Sequence, residues 1–402
     1  MEKKSRKKVF LKIIPAILLV FFLFGSGYFF GLKIGDSYQP PADIQNANSG
    51  KPSSVDFSLF WQAWNKVRQM YVGDSDPQKM VFGAISGMVA ALGDPYTDFF
   101  DPTTNQQFSS DLSGQFEGIG AELIMKDGAI TVVAPLSGSP AEKAGIKAKD
   151  IISEIDGTST AEMTVDDAVG KIRGTAGTEV KLKIIRANET APLDFTITRA
   201  KIQIDSVTYQ QINVSGKKIG LLKVNQFGDD TQTLAEKYAK QIKSDDDTGV
   251  ILDLRNNPGG YLDGAVSFAN LFLTKGKVVV SEVDKNGQKQ EYKTDTDPVL
   301  GNIPLVVLVN GGSASAAEIV TGAFKDFARA ETIGEKTFGK GSVQAVEPLA
   351  GGAALKVTIA KWLTPLGTEI NKIGITPDVV VPASTDNASD PQLDKAKLEI
   401  TK

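Results

Sequence analysis

The stretch Val307–Phe324, VLVNGGSASAAEIVTGAF, joins an apolar run to a helix-like run through a turn of small residues. Apolar residues, a Gly-Gly pair and then apolar residues at helical spacing predict a strand, a turn and a helix. The turn contains two serines, Ser313 and Ser315. Ser315 and Glu318 fit the pattern Ser-x-x-Glu, which is typical of a capping box at a helix N-terminus. The stretch therefore predicts one strand–helix unit of a layered α/β fold.

A serine in this turn is also a candidate nucleophile, because free amides at a helix N-terminus can stabilise an oxyanion. A serine hydroxyl needs a base beside it, and the chain contains no histidine. The remaining candidate base is a lysine whose pKa is lowered by burial. The stretch alone does not distinguish a capped helix from a nucleophile.

Among the lysines, Lys340 in GEKTFGKGSVQAVEPL has the most suitable surroundings. Gly339 and Gly341 on either side permit tight backbone turns. In an extended chain, Gln344 lies on the same side as Lys340, so its amide oxygen could orient the amine. The alternative is a Gly-Lys-Gly turn at the surface.

Two glycine-rich turns are candidate binding elements. Gly259 and Gly260 follow an apolar strand in DLRNNPGGYLDGAV, and paired glycines let an amide approach an oxyanion closely. The alternative is an ordinary strand-to-helix turn. The turn Gly118-Ile119-Gly120 precedes another strand, and its successive amides would suit the carboxylate of a peptide.

The spacing and types of residues divide the body of the chain into three segments and a tail. Residues 55–111 show helical spacing and predict a small helical subdomain. Residues 112–200 contain short β-branched runs and predict one compact β-rich domain. Residues 201–381 alternate strand and helix patterns, including a helix over TQTLAEKYAKQIKS, and predict a largely parallel sheet with crossover helices. The charged tail, 382–402, is expected to be weakly ordered.

The N-terminus combines a basic segment, 1–12, with an apolar run at 13–32 that contains no charged residue. Twenty helical residues span roughly 30 Å, the thickness of the bilayer hydrocarbon. The flanking positive charges predict a single-pass signal anchor with a cytoplasmic N-terminus. A cleaved signal peptide is the alternative. Residues 33–54 are rich in Pro, Ser, Asn and Gly and predict a flexible linker.

Composition excludes several classes of protein. The net charge is −4 although six of the 44 basic residues lie in the first twelve positions, so the body lacks the basic footprint of a nucleic-acid binder. With no cysteine, the chain has no disulfide, no thiol nucleophile and no cysteine-ligated metal. With no histidine either, no metal site is predicted.

Several segments of the body of the chain together resemble the C-terminal processing peptidases, or tail-specific proteases. The resemblance covers Val55 to about Val381. Seven segments match in the order of the family: LGDPYTDFF, FEGIGAEL, SPAEKAGIKAKDIISEIDG, LDLRNNPGG, VNGGSASAAEI, GEKTFGKGSVQ and IGITPDVVV. The resemblance implies an α/β and β fold, in which a PDZ domain is inserted before a catalytic α/β core similar to the crotonases and Clp proteases.

The resemblance also implies roles for individual residues. Ser315 would be the nucleophile, Lys340 the general base and Gln344 the residue that orients Lys340. The amide of Ala316 and that of Gly259 or Gly260 would form the oxyanion hole. In the PDZ domain, the turn formed by Gly118, Ile119, Gly120 and Ala121 would bind the substrate's terminal carboxylate. No cofactor is implied.

The sequence therefore predicts a membrane-anchored serine endopeptidase outside the cytoplasm, in a periplasm or at a bacterial exterior. Its partners would be proteins with accessible C-termini and the membrane, with no nucleic acid; self-association into a homo-oligomer is left open. Arg173, near the end of a predicted PDZ helix, could couple peptide binding to the active site, or simply be solvated. The rivals are a non-catalytic PDZ adaptor and an acyl-transfer enzyme of crotonase-like architecture.

Overall fold

The computed structural model describes residues 55–136, 138–187, 189–384 and 389–402. Contacts divide the chain into two units, Met1–Val81 and Phe82–Lys402. The predicted basic segment, apolar run and linker lie outside the described residues. Within the described ranges, no helix combines the length and the apolar character that crossing a bilayer requires.

The described part of the first unit is helical. α1 spans Ser58–Met70 and buries Trp64. The ring of Trp61 packs edge-on against that of Phe60, with 4.8 Å between their centroids. α2, Pro77–Ala90, begins in this unit and continues into the second. Both helices form where apolar residues recur at helical spacing.

A β-rich domain with its own apolar core follows a short strand and helix, β1 and α3. Its main sheet is antiparallel, in the order β3-β4-β5-β7-β8, and β2 and β9 form a separate ribbon. Ile130, Ile152 and Ile184 are fully buried in the core. The elements are β1 (Asp98–Phe100), α3 (Pro102–Leu112), β2 (Gln115–Gly118), β3 (Ala121–Lys126), β4 (Ala129–Pro135), α4 (Pro140–Ala144), β5 (Ile151–Ile155), β6 (Thr158–Ser159), α5 (Val165–Ile172), β7 (Glu179–Ile185), β8 (Leu193–Thr198) and β9 (Ala200–Gln203).

The rest of the chain contains the α/β layers that the alternating pattern predicts. A sheet in the order β10-β11-β12-β15-β16-β19 is parallel except for its edge strand β10. Every residue of β12 and β15 is buried, as expected of apolar strands at the centre of such a sheet. The strands are β10 (Val207–Val214), β11 (Lys217–Val224), β12 (Gly249–Asp253), β13 (Val278–Asp284), β14 (Lys289–Lys293), β15 (Leu305–Val309), β16 (Glu331–Gly334), β17 (Ser342–Pro348), β18 (Ala354–Leu363) and β19 (Val379–Val380). The helices are α6 (Thr231–Ser244), α7 (Leu262–Ala269), α8 (Ala316–Asp326) and α9 (Pro391–Glu399).

Five of the strands instead form a second sheet, which the sequence did not predict. Its order is β1-β18-β13-β14, with β17 paired to β18. All the pairs in this sheet are antiparallel. For β17 and β18 the reason is that a single 3-10 turn, Ala350–Gly352, joins them, and so short a connection cannot link parallel strands. This sheet delivers the segment around Lys340 to the carboxyl ends of the parallel strands.

For residues 389–402, which the structure describes, the expectation of a weakly ordered tail is wrong. Asp390 caps α9 by accepting a hydrogen bond from the amide of Leu393 at 3.0 Å. Ala396 and Ile400 are buried against apolar residues of the parallel sheet, including Ile251. The charged residues of the tail conceal an apolar spacing of three, four and seven positions, which is enough for one amphipathic helix.

Candidate active site

The turn between β15 and α8 places Ser315 at the carboxyl end of a central strand. Its backbone is strained, with φ 51° and ψ −116°, in a region that non-glycine residues rarely adopt. The predicted capping box forms, and the amide of Ser315 donates to Oε2 of Glu318 at 3.0 Å. Ser315 therefore combines a helix cap with a half-buried position on a cavity.

Ser313 has a different role. Its side chain is fully buried and donates to the carbonyl of Leu254 at 2.8 Å. Oγ of Ser313 also accepts a hydrogen bond from the backbone amide of Asn310 at 3.0 Å. Ser313 thus joins the loops that follow β12 and β15, whereas Ser315 faces the cavity.

The loop after β12 brings Gly259 against Ser315 and places Gly260 on the same cavity. A Cβ on Gly259 would lie 2.6 Å from Cβ of Ser315 and 3.0 Å from the amide nitrogen of Ala316. The amide of Gly259 already donates to Oδ1 of Asn257 at 2.8 Å. Within the described residues, the amide of Gly260 makes no hydrogen bond. Gly260, rather than Gly259, therefore has the free donor.

Asn257 is a residue of this loop that sequence reasoning missed. It is completely buried, and its Nδ2 donates to the carbonyl of Val224 at 2.8 Å. Its carbonyl accepts from the amide of Ala314 at 2.9 Å. A buried amide with these partners fixes the loop against both neighbouring strands. The sequence feature that could have identified Asn257 is its position just before Pro-Gly-Gly.

Lys340 is half-buried and lines the same cavity as Ser315. Burial lowers the pKa of its ammonium, the nearby charge of Lys356 lowers it further, and the carboxylate of Glu318 opposes both. Its Nζ lies 5.3 Å from the centroid of the Tyr96 ring. Its carbonyl accepts from Nε1 of Trp362 at 2.9 Å. These surroundings favour the neutral amine that a general base requires.

Glu318 has more partners than a capping box supplies. This fully buried carboxylate accepts from the hydroxyl of Thr337 at 2.5 Å and from the amides of Gly339 at 2.7 Å and Lys340 at 2.9 Å. With the amide of Ser315, it receives four donors. The sequence indicated only its cap; the link to the loop of Lys340 is visible only in three dimensions.

Gln344 lies on the cavity, but the structure shows a different contact from the predicted one. Its amide nitrogen donates to the hydroxyls of Ser342 at 2.9 Å and Thr358 at 3.2 Å. Within the described residues, no hydrogen bond joins Gln344 to Lys340, nor Lys340 to Ser315. These bonds fix the amide group of Gln344 on the cavity beside Lys340.

All the residues predicted for the chemistry line one cavity of about 500 Å³. They are Ser315, Ala316, Lys340, Gln344, Gly259 and Gly260. Apolar side chains, among them Leu262, Ile319 and Val343, form much of the remaining wall. A nucleophile, a half-buried lysine and free amides beside an apolar cleft can perform acyl transfer on a peptide.

A second cavity, of about 620 Å³, lies on the β-rich domain and includes the predicted turn Gly118–Ala121. Within the described residues, the amides of Ile119 and Gly120 make no hydrogen bond, as a carboxylate nest requires. A Cβ on Gly120 would lie 2.6 Å from Cβ of Ser139, so the turn needs glycine there.

Arg173 lines this second cavity and forms an ion pair with Asp111, which also lines it. Its guanidinium donates to Oδ1 of Asp111 at 3.0 Å and lies 5.1 Å from the ring centroid of Phe116. Asp111 and Gln226 line both cavities. Gln226 also donates to the carbonyl of Asp111 at 3.0 Å. The two cavities therefore share a wall that contacts Arg173.

Arg255 is a half-buried cation that sequence reasoning also missed. It donates to both carboxylate oxygens of Asp253, at 2.9 and 2.7 Å, and to both of Asp390, at 2.8 and 3.0 Å. Burial alone would lower its pKa, but these hydrogen bonds outweigh burial and raise it. Arg255 thus connects α9 to the loop that carries Gly259 and Gly260.

Comparison with known proteins agrees with this arrangement. The model of peptidase family S41 matches residues 218–381, a PDZ domain model matches 131–186, and that of the activating protease CtpB N-terminal domain matches 22–104. Among curated relatives, the carboxy-terminal processing protease CtpB of Bacillus subtilis is 36% identical over 92% of this chain and 78% of its own length. The carboxy-terminal-processing protease of Bartonella bacilliformis is 42% identical over 87% and 81%.

A solved structure gives the same result. The photosystem II D1 C-terminal processing protease has a TM-score of 0.51 and 32% identity, over 83% of this chain and 90% of that one. The mixed α/β fold with a PDZ domain is therefore that of a serine peptidase. The chain belongs to the carboxy-terminal processing proteases of peptidase family S41.

Proposed function

We propose that this chain is a membrane-anchored endopeptidase that cleaves proteins outside the cytoplasm through a pair formed by Ser315 and Lys340. The observation that carries the proposal is the cavity on which Ser315, half-buried Lys340 and the free amide of Gly260 meet. No other described lysine lines that cavity except Lys356, on the far strand β18.

In the proposed reaction, Oγ of Ser315 attacks the scissile carbonyl carbon while neutral Lys340 accepts the hydroxyl proton. The amides of Ala316 and Gly260 stabilise the developing oxyanion. Lys340 then gives its proton to the leaving amine, which breaks the peptide bond and leaves an acyl-enzyme. A water molecule, deprotonated by Lys340, hydrolyses that ester and restores Ser315.

The PDZ groove supplies the proposed selectivity. The free amides of Ile119 and Gly120 suit a terminal carboxylate, and the adjacent strand β3 would pair with the peptide. Because Asp111 and Gln226 line both cavities, peptide in the groove would act on the catalytic cleft through their shared wall, with Arg173 as the coupling residue.

Cleavage of an unfolded protein with an apolar C-terminus tests the catalytic proposal. Ser315→Ala and Lys340→Ala are each expected to abolish cleavage by the full chain in detergent. Labelling by a serine-reactive probe should be lost in Ser315→Ala and kept in Ser313→Ala. Undiminished cleavage by either dyad variant would refute the mechanism, and an unlabelled wild-type protein would favour a non-catalytic PDZ adaptor.

The lack of cysteine permits a direct test of the proposed anchor and orientation. A membrane-impermeant maleimide should label Lys126→Cys in intact spheroplasts, because this residue is exposed on the body. Ser5→Cys, in the basic segment, should be labelled only after lysis. Labelling of both variants, or of neither, before lysis would contradict the proposed orientation.

A further inference from the structure

A second lysine, Lys356, lines the cavity that contains Ser315 and Lys340. It lies on β18, where it is paired with Val346 of β17 on one side and with Asp98 of β1 on the other. A residue in the middle of three paired strands has little freedom to move its backbone. Its backbone is therefore fixed at the wall of the cavity that contains the base.

Two aromatic rings hold the side chain of Lys356. Its Nζ lies 5.0 Å from the ring centroid of Phe100 and 5.8 Å from that of Phe108. Both distances are within the range of cation–π attraction. Among the described residues, Lys356 forms no salt bridge. The rings thus stabilise the ammonium, and its charge also acts on the carboxylate of Asp94, in the segment before β1.

Among the described residues, two charged groups and one aromatic ring act on the ammonium of Lys340. Glu318, on α8, favours the protonated amine, as does the ring face of Tyr96 in the segment before β1. Lys356, on β18, opposes them as a like charge. Apart from burial, Lys356 is therefore the group among these that favours the neutral form of Lys340.

We propose that Lys356 is a positioning residue of the reaction: a fixed cation, held by Phe100 and Phe108, that disfavours the protonated form of Lys340. The inference rests on the proposed role of Lys340 as base. It also gives a role to Phe100 of the stretch DPYTDFF and to Phe108 of α3.

The pH dependence of Ser315 labelling by a small uncharged sulfonyl fluoride tests this role without a peptide substrate. Lys356→Met keeps the length of the side chain and removes the charge. Its labelling rate is expected to fall about three-fold or more near pH 7 and to recover near pH 10, because a Lys340 with a higher pKa needs more alkaline solution. Lys356→Arg should restore the wild-type profile.

Lys361→Met is the matched control, because Lys361 is on the same strand but pairs with Glu369 at 3.1 Å and is largely exposed. Its profile should equal that of the wild type. A Lys356→Met enzyme with reduced labelling at every pH, or with an unshifted profile, would overturn the proposal. Thermal unfolding of each variant identifies a loss of folding, and labelling of Lys340→Ala at the wild-type rate would refute the dyad instead.

Discussion

Ser315 and Lys340 donate their backbone amides to the same atom, Oε2 of Glu318, at 3.0 and 2.9 Å. The two residues belong to different loops, one before α8 and one before β17. A single buried carboxylate therefore sets the separation of the nucleophile's backbone from that of its base. Because charge-assisted hydrogen bonds are short and strong, this link restricts both loops.

Glu318→Gln should damage both activity and folding. An amide replaces one acceptor oxygen by a donor, so at least one buried donor loses its partner, at a cost of about 2–4 kcal/mol in the free energy of unfolding. Urea denaturation measures that cost, with exposed Glu347→Gln as the control expected to be neutral.

The residual activity of Glu318→Gln provides a second readout. The carboxylate favours protonated Lys340, so its removal should move the acid limb of the pH–rate profile to lower pH. This direction is opposite to that expected for Lys356→Met. A shift to higher pH would contradict the electrostatic account of the site.

Gly260→Ala should inactivate the enzyme. A Cβ there would lie 2.1 Å from the carbonyl oxygen of Phe227, so the loop and its free amide must move. Loss of one oxyanion donor lowers kcat by about 100- to 1,000-fold. Gly264→Ala is the control, since its Cβ would meet Phe227 at an ordinary 3.5 Å. Equal kcat values for the two variants would exclude Gly260 from the oxyanion hole.

Arg173→Ala should separate long substrates from short ones. Its pair with Asp111 is partly exposed, so stability should change by less than about 1 kcal/mol. We expect lower kcat/KM for an unfolded protein that occupies the PDZ groove and little change for a short dye-linked peptide. Lys171→Ala, on the exposed side of α5, is the control. Equal losses on both substrates would argue against coupling.

The C-terminal helix should contribute to the stability of the core. Ile400 is 7% exposed and Leu398 is 65% exposed, two positions apart on the same terminus. Ile400→Ala should cost about 2–4 kcal/mol, whereas Leu398→Ala should change stability by less than about 0.5 kcal/mol. Matching melting temperatures for the two variants would show that the tail does not support the parallel sheet.

Regular elements with strong local patterns were predictable from the sequence. The helix predicted over TQTLAEKYAKQIKS is α6, Thr231–Ser244, with the same bounds. The strand–turn–helix around Ser315 is likewise confirmed. In each case apolar spacing and a turn signal agree within fewer than twenty residues.

The residues that were missed act through contacts between distant segments. Glu318 reaches the loop of Lys340, Arg255 reaches Asp390, and Lys356 reaches the rings of β1 and α3. Spacing along the chain gives no information about such meetings. The second sheet was missed for the same reason, since β1 and β18 are far apart in sequence but paired in space.

The backbone of Ser315 limits which nucleophiles this site could use. At φ 51°, a β-branched side chain would meet its own main chain, so threonine is poorly suited to this turn. Cysteine, unbranched at Cβ, could occupy it without that conflict. The fold is therefore compatible with cysteine in place of Ser315, whereas the turn that presents Ser315 disfavours threonine.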